Sequence, residues 1–285
     1  METHFLETFL AVVQHGSLAE ASRRMGVTPA AVAQRIQALE DEIGLPLLAR
    51  SGRRVKPTEA GVAILEKSRR VLAEVRQLKG LARDDQAFGE LRLGAISTVL
   101  TGLLPNALRR VFDRMPGIDI FLLPGTSAEL YNSVAEERID AAILVKPPFP
   151  IPKTLSWDLI RSERFVLLAP PDLADIPVDR LLREQPFIRY DRSNWGGRLA
   201  DTYLQTQRML PREWLELDSL EAISMMVEAG LGVSLMPDWR SPLFDNLRVA
   251  RLPLPNAPNR EIGLLRPRNV PSGRLIQTVL DAIRS

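Results

Sequence analysis

The chain has no cysteine among its 285 residues. Disulfides, thiolate nucleophiles, thiolate zinc sites and thiol redox sensing are thereby excluded. Histidine is almost as scarce: His4 and His15 are the only two, both near the start. A Ser-His-Asp triad or a multi-histidine metal site elsewhere is excluded as well, and neither a metal nor a cofactor is expected. No apolar run reaches about 18 residues, so no transmembrane helix is expected. The opening METHFLETFLAVVQHG mixes acids into its apolar residues and lacks a basic start, which does not fit a secretory signal; the cytoplasm is the expected compartment. Charge of one sign is missing too. Lys and Arg number 37 against 35 Asp and Glu, a net charge of +2, so any nucleic-acid site must be local. The remaining composition, 45% apolar and 25% charged, is that of an ordinary soluble protein, long enough for two or more domains.

Phe5, Leu6, Phe9, Val12 and Val13 recur at helical spacing, which predicts an amphipathic helix from Thr3 to His15 ended by Gly16. Ser17, with Glu20 three residues on, reads as a capping box for a second helix, Leu18 to Met25. Gly26-Val27 is a turn. Thr28 then caps a third helix with Pro29 at its first position, and Gly44 closes it. Its expected core face is Val32, Ile36, Leu39 and Ile43. Its other face begins with Ala30, Ala33 and Gln34, bare of charge, so it either meets something or is a second core face. Three short helices joined by turns this tight form a helix-turn-helix unit. LPLLARSGRRVKPTEAG then reads as an apolar run, a Ser-Gly turn and four cations, Arg50, Arg53, Arg54 and Lys56: a two-stranded wing with a basic tip. From Glu59 a long helix is expected to about Leu81. Its stripe of Ile64, Val71, Val75 and Leu78, with no evident cover, suggests self-pairing.

Residues 3–79 resemble the DNA-binding domain and linker helix of LysR-type transcriptional regulators. The spacing of Phe9, Gly16-Ser17, Ala21, Val27, Ile36, Leu39-Glu40, Gly44, Arg50 and Thr58-Glu59-Ala60-Gly61 fits that family without a gap. The family usually carries Ser-Gln-Pro-Ala at the start of the third helix and a Ser five positions after the first. This chain has Thr28-Pro29-Ala30-Ala31 and Ala33 instead, so the docking mode is expected to carry over but the base sequence read is not. With Val32 toward the core, Gln34 and Ala30 each lie about 200° away at ~100° per residue, facing outward. A major groove admits a slim face free of carboxylates, and Glu40, Asp41 and Glu42 appear only at the far end. Gln34 is the expected base reader, by bidentate pairing with adenine. Arg35, about 60° from the core direction, suits a phosphate or an internal partner. Arg50, Arg53, Arg54 and Lys56 are expected on phosphates, which confer affinity without sequence. A merely solvated helix face and loop remain the plainer alternatives.

Beyond a polar stretch at 82–89, expected to be a hinge, strands and helices alternate. ELRLGAI, a helix over 102–115, IDIFLLPG, a helix over 127–138 and IDAAILV give a βαβαβ order, hence a parallel sheet with ligand sites at the strands' carboxyl ends. RFVLLAP, FIRYDR, a helix near 197–209, WLELD, a helix over 219–229 and GVSLMP form a second set. EIGLLRP and a helix over 272–284 are expected back on the first sheet. The expected fold class is therefore α/β behind an all-α winged helix-turn-helix and linker helix. Its domains are 1–58, 59–81, the hinge 82–89, and two lobes, 90–162 with 263–285 and 163–262. GAISTVLTGLLPNALRRVF, ERIDAAI, ERFVLLAPPDL and EAGLGVSLMP are similar to the same family's effector-binding domain, which is like a periplasmic binding protein. In the first lobe Ser97 and Thr98 follow a strand and precede a helix, where hydroxyls and N–H groups hold an anion, in this family usually a carboxylate. Thr126 (with Ser127) occupies the corresponding place after the second strand, and Lys146 follows the third. In the second lobe Arg189, Tyr190, Arg192 and Trp195 stand at a strand end, a mixture suited to an anionic or aromatic small molecule. Plain helix caps, surface arginines and a packing tryptophan are the competing readings.

The resemblance implies a transcription regulator with double-stranded DNA, a small-molecule effector and a second copy of itself as partners: a homodimer, with a homotetramer as the family's usual state, and no membrane. An enzyme or transport-type receptor with an incidental helix-turn-helix is the alternative from another class; the scarcity of histidine and cysteine and the lack of a signal count against it. A DNA-binding oligomer whose second domain senses nothing is the third possibility.

Overall fold

A computed structural model describes residues 2–51, 54–82, 89–239, 241–270 and 272–284, with the backbone alone for 51, 73, 74, 76–82, 89 and 243. Its contacts divide the chain into two units, Met1–Gly89 and Glu90–Ser285. The expected Arg53 contact and most of the expected hinge, 83–88, lie outside the described residues.

In the first unit α1 (Thr3–His15), α2 (Leu18–Met25) and α3 (Pro29–Ile43) precede a hairpin of β1 (Leu48–Ser51) and β2 (Arg54–Pro57), then α4 (Glu59–Ala82). Local chemistry sets these limits. The Thr28 hydroxyl accepts from the Ala31 N–H at 3.2 Å with Pro29 in the first turn. Ser17 accepts from the Glu20 N–H at 3.4 Å, but that capping box is only half formed, because the Glu20 carboxylate is drawn to Arg23 and Arg24. Leu6, Phe9, Val12, Ala21, Val32, Ile36, Leu39 and Leu47 form one core. Ile43, expected to belong to it, is 38% exposed, since α3 runs a turn past Leu39.

The wing is locked to α4 by backbone. The Thr58 hydroxyl donates to the Pro46 carbonyl at 2.7 Å and accepts from the Gly61 N–H at 3.0 Å. A Cβ on Gly61 would stand 2.1 Å from the Leu47 carbonyl oxygen, so only glycine fits. The Glu40 carboxylate accepts from the Leu47 and Leu48 N–H groups at 2.7 and 3.0 Å. The expected α4 stripe is covered in part: Ile64 and Val71 pack, with Leu65, against the winged-helix core in which Leu72 is buried, Val75 is not in that core, and the side chain of Leu78 lies outside the described residues. Ser68, a gap in the stripe, is buried as well.

The second unit comprises β3 (Gly89–Ala95), α5 (Ser97–Gly102), α6 (Leu104–Arg114), β4 (Ile118–Pro124), α7 (Ser127–Ala135), β5 (Ala141–Val145), β6 (Leu155–Ala169), α8 (Val178–Glu184), β7 (Pro186–Tyr190), α9 (Trp195–Thr206), β8 (Arg212–Leu217), α10 (Leu220–Glu228), β9 (Ser234–Pro237), α11 (Pro242–Asp245), β10 (Ala250–Pro253), β11 (Asn259–Pro267) and α12 (Gly273–Arg284). The helix expected over 102–115 is α6, with Pro105 in its first turn, and a short helix that the sequence reading did not expect, α5, precedes it.

A seven-stranded sheet has the order β10-β6-β11-β5-β3-β4, with β9 also on β6. The 15-residue β6 explains how two lobes share it. Its first part, through Arg164, pairs with β11, and its second part, from Phe165, turns to β9 and β10. β11 in turn pairs antiparallel with β5, while β3 and β5 are parallel. The parallel pair β7-β8 joins β9 through the Phe187–Val233 bridge. One core gathers Leu93, Val99, Ile143, Leu264 and Val279; the other lobe holds two, around Phe165, Phe187 and Leu235 and around Ile188, Ile223 and Trp239. Among the described residues no helix is long and apolar enough to cross a membrane.

Candidate functional site

Two surfaces qualify, one in each unit. In the first, Thr28, Pro29, Ala30, Ala33 and Gln34 are all exposed along the start of α3, while Val32 and Ile36 point into the core. Arg35 is half-buried, and neither it nor Gln34 has a side-chain partner among the described residues. Arg50, Arg54 and Lys56 are exposed and form no ion pair among the described residues. The hairpin register, with Lys56 opposite Ala49 and Arg50 opposite Val55, separates them. Opposed residues share a face and successive residues alternate, so Arg54 and Lys56 project together while Arg50 lies on the half-buried Val55 side. The exposed Arg23 and Arg24 of α2, by contrast, are paired with Glu20.

In the second unit a cleft of about 450 Å³ lies between the lobes, within the size range of small-molecule sites. Ser97, Thr98, Thr126, Tyr190 and Trp195 line it together, drawn from both lobes. Lys146 and Arg192 are not among its lining residues. Lys146 pairs with Glu261 at 2.6 Å. Arg192 is bound by Glu216 (2.9 and 3.0 Å) and Glu213 (2.7 Å), which pushes its pKa further up; it holds the Glu216 carboxyl below its ordinary value, and Arg189, with Arg192, does the same to Glu213. Arg189 is buried against Asp201 at 2.7 Å and Glu213. The two acids of β8 thus absorb both arginines of RYDR.

The hydroxyls differ in their availability. Thr126 forms a complete capping box with Glu129, whose carboxyl the Thr126 N–H and hydroxyl hold below its ordinary value. Ser97 donates to Glu221. Thr98, buried, accepts from Arg260 at 3.3 Å.

Arg260 is the cleft's main feature, absent from the sequence expectation. It is 1% exposed yet lines the cleft, and its Nε and Nη2 bind the buried Glu163 at 2.7 and 2.5 Å. Glu163 also binds Arg161, at 2.9 and 2.6 Å, so one buried carboxylate serves two guanidinium groups. Glu163 and Arg260 stand on β6 and β11, the strands common to both lobes. Burial pushes the Tyr190 phenol up, and the neighbouring Arg260 guanidinium opposes that. A Cβ on Gly196 would come within 2.7 Å of the Tyr190 ring and hydroxyl, so glycine there lets the phenol lie along the cleft. The first residues of α7, α9 and α10 also reach the lining, and helix N-termini favour negative charge. Trp195 closes one side in edge contacts with Tyr131 and Phe149, ring centroids 6.0 and 5.6 Å away.

Known proteins agree with this division. Residues 3–62 match the model of the bacterial regulatory helix-turn-helix protein, lysR family, and residues 84–285 that of the LysR substrate binding domain. The chain is 30% identical to the HTH-type transcriptional activator CmpR of Synechocystis over 82% of its own length and 78% of the relative's. It is 28% identical to the HTH-type transcriptional activator IlvY of Salmonella typhimurium, covering 84% and 83%. Full-length CbnR complexed with its target DNA shares the fold at a TM-score of 0.68 and 22% identity, covering 100% of this chain and 99% of that one. Full-length OxyR from Pseudomonas aeruginosa does so at 0.66 and 23%, covering 100% and 95%. The chain belongs to the LysR family of transcriptional regulators, with a DNA-binding helix-turn-helix domain and an effector-binding domain.

Proposed function

We propose that the protein is a one-component regulator of the cytoplasm that acts by binding rather than catalysis: α3 reads operator DNA and the inter-lobe cleft senses a small molecule bearing an acidic group. The observation that carries the sensing half is Arg260, a guanidinium 1% exposed that nevertheless lines a cleft of about 450 Å³. Glu163 offsets the cost of burying that cation, and Thr98, Tyr190 and the N-termini of α7 and α9 in the lining add further polarity that suits an anion. Trp195, Tyr131 and Phe149 give one wall an aromatic surface for an apolar portion of the ligand. On the DNA side, Gln34 is the base reader on a face otherwise short of hydrogen-bonding groups, with Thr28, Pro29, Ala30 and Ala33 making that face slim. Arg35, Arg50, Arg53, Arg54 and Lys56 serve phosphates. The protein works as a homo-oligomer, at least a dimer, to which the remaining surface of α4 contributes. Effector binding is coupled to DNA geometry through this assembly.

The test uses the full chain. Duplexes are selected from a random pool, and the discrimination between a selected site and random DNA is measured for the wild type and Gln34→Ala. The variant should lose about 1–3 kcal/mol of discrimination while keeping its background affinity; an equal loss on both duplexes would move Gln34 to phosphate contact. A thermal-shift screen of carboxylates and aromatic acids tests the cleft, since a ligand raises stability as RT ln(1 + [L]/Kd). A stabilising acid that binds Arg260→Met as tightly as the wild type would refute the site.

A further inference from the structure

The cleft is not uniformly cationic, and its polar ends differ in kind. At the Arg260 end the groups are donors. Glu163 and Thr98 engage Nε and Nη2, leaving the two N–H groups of Nη1 for an incoming acceptor. The α10 end is the reverse. Asp218 lines the cleft and its carboxylate has no hydrogen bond or ion pair among the described residues. Beside it, Glu221 accepts from Ser97 Oγ at 3.3 Å, Thr101 Oγ1 at 3.1 Å and Ser219 Oγ at 3.4 Å. A hydroxyl has one hydrogen and two lone pairs. With those hydrogens directed to Glu221, the Ser97 oxygen in the lining offers the cleft only lone pairs, and so does Ser219, one of whose lone pairs already accepts the Ala222 N–H at 3.2 Å. This end therefore consists of acceptors and negative charge, and it would repel a second anionic group. Arg260 and Asp218 line the same cleft of about 450 Å³, together with Tyr190.

We propose that the ligand of this cleft is a zwitterionic amino carboxylate, its carboxylate held by Arg260 and its ammonium by Asp218 and the Ser97 oxygen. An ammonium brings three donors and no acceptor, the complement of the α10 end. A carboxylate brings acceptors only, the complement of Arg260. The proposal rests on the reading of the cleft as the effector site and narrows it to one chemical class.

The experiment is calorimetric titration of the full chain with three matched sets: the common L-amino acids, the 2-hydroxy acids with the same side chains, and the corresponding decarboxylated amines. At least one amino acid should bind, with its hydroxy acid and its amine each weaker by about tenfold or more, as loss of a charge-assisted contact implies. Asp218→Asn, at an exposed position, should leave the fold intact and reduce the preference for amino acid over hydroxy acid by about tenfold. A hydroxy acid that binds as tightly as its amino acid, or an Asp218→Asn variant that keeps the preference, would overturn the zwitterion while leaving an acid-sensing cleft standing. If no amino acid binds the proposal falls, and if no carboxylate of any kind binds, the effector reading falls with it.

Discussion

Glu163 is almost fully buried and carries two arginines, so the three members of the network should respond unequally to removal. Glu163 and Arg260 have side chains 2% and 1% exposed, whereas that of Arg161 is 24% exposed. Glu163→Gln leaves Arg260 buried without a counter-charge, because Glu163 is the acid it binds. Breaking a buried pair in this way costs about 3–5 kcal/mol. Arg260→Met leaves Glu163 still bound by two nitrogens of Arg161, so its cost should be nearer the ~1–3 kcal/mol of an unmade charged hydrogen bond. In a unit of this length each kcal/mol moves the midpoint by about 2–4 °C. Glu163→Gln should then lower the Tm of the effector-binding unit by roughly 6–20 °C, and Arg260→Met by clearly less. Adding Arg260→Met to Glu163→Gln should recover part of the loss, since the stranded cation is gone. Scanning calorimetry of the full chain, following the transition that the variants displace, measures all three. The reasoning fails if Arg260→Met is as destabilising as Glu163→Gln, or if the double variant shows the plain sum.

Arg54→Ala and Lys56→Ala should each weaken binding to specific and random duplexes alike and reduce the slope of log K against log salt by about 1, measured by titration at several salt concentrations. Gly61→Ala places a methyl 2.1 Å from the Leu47 carbonyl, so it should unfold or displace the wing and abolish DNA binding while ligand binding persists. Acid should loosen the β7-β8 edge. The Glu213 and Glu216 pKa values are lowered from 4.5 by Arg189 and Arg192, so their stabilising contribution is complete above that value and is lost as pH falls through the lowered ones. Glu213→Gln should therefore flatten the wild type's loss of stability below about pH 4.5, by a small amount given the exposure of these pairs; an unchanged acid profile would count against the linkage.

The winged helix-turn-helix was legible because its information is local. Thr28-Pro29, Ser17 and three glycines punctuate short helices whose apolar spacing is regular, and caps act within a turn of the residue that supplies them. The outward face of Gln34 followed from helical periodicity alone. What periodicity could not show was where the periodic element ends relative to its neighbours. Ile43 keeps the spacing of the core face but overshoots the core, and the α4 stripe keeps the spacing of a self-pairing seam but lies partly on its own domain. Arg50, Arg54 and Lys56 looked equivalent until the hairpin register assigned them to opposite faces.

In the effector-binding unit the sequence determined which residues stand at strand ends, because strand and helix patterns are local, and Ser97, Thr98, Thr126, Tyr190 and Trp195 do converge on one cleft. It did not determine which charges face that cleft. Lys146 and Arg192 carry the right sign at plausible places, but Glu261, Glu213 and Glu216 neutralise them. Arg260 sits at the start of the last strand, 97 positions from the Glu163 that makes its burial tolerable. An arginine next to Glu261 at the start of an apolar strand gives no sign of that in sequence, since the stability of a buried ion depends on a partner brought by tertiary folding. The sequence by itself thus determined the class of protein and the positions from which a site could be built. Only the tertiary structure decided which cation remains facing the cleft and which hydroxyls have already given their hydrogens to Glu221, because both depend on partners distant in the chain.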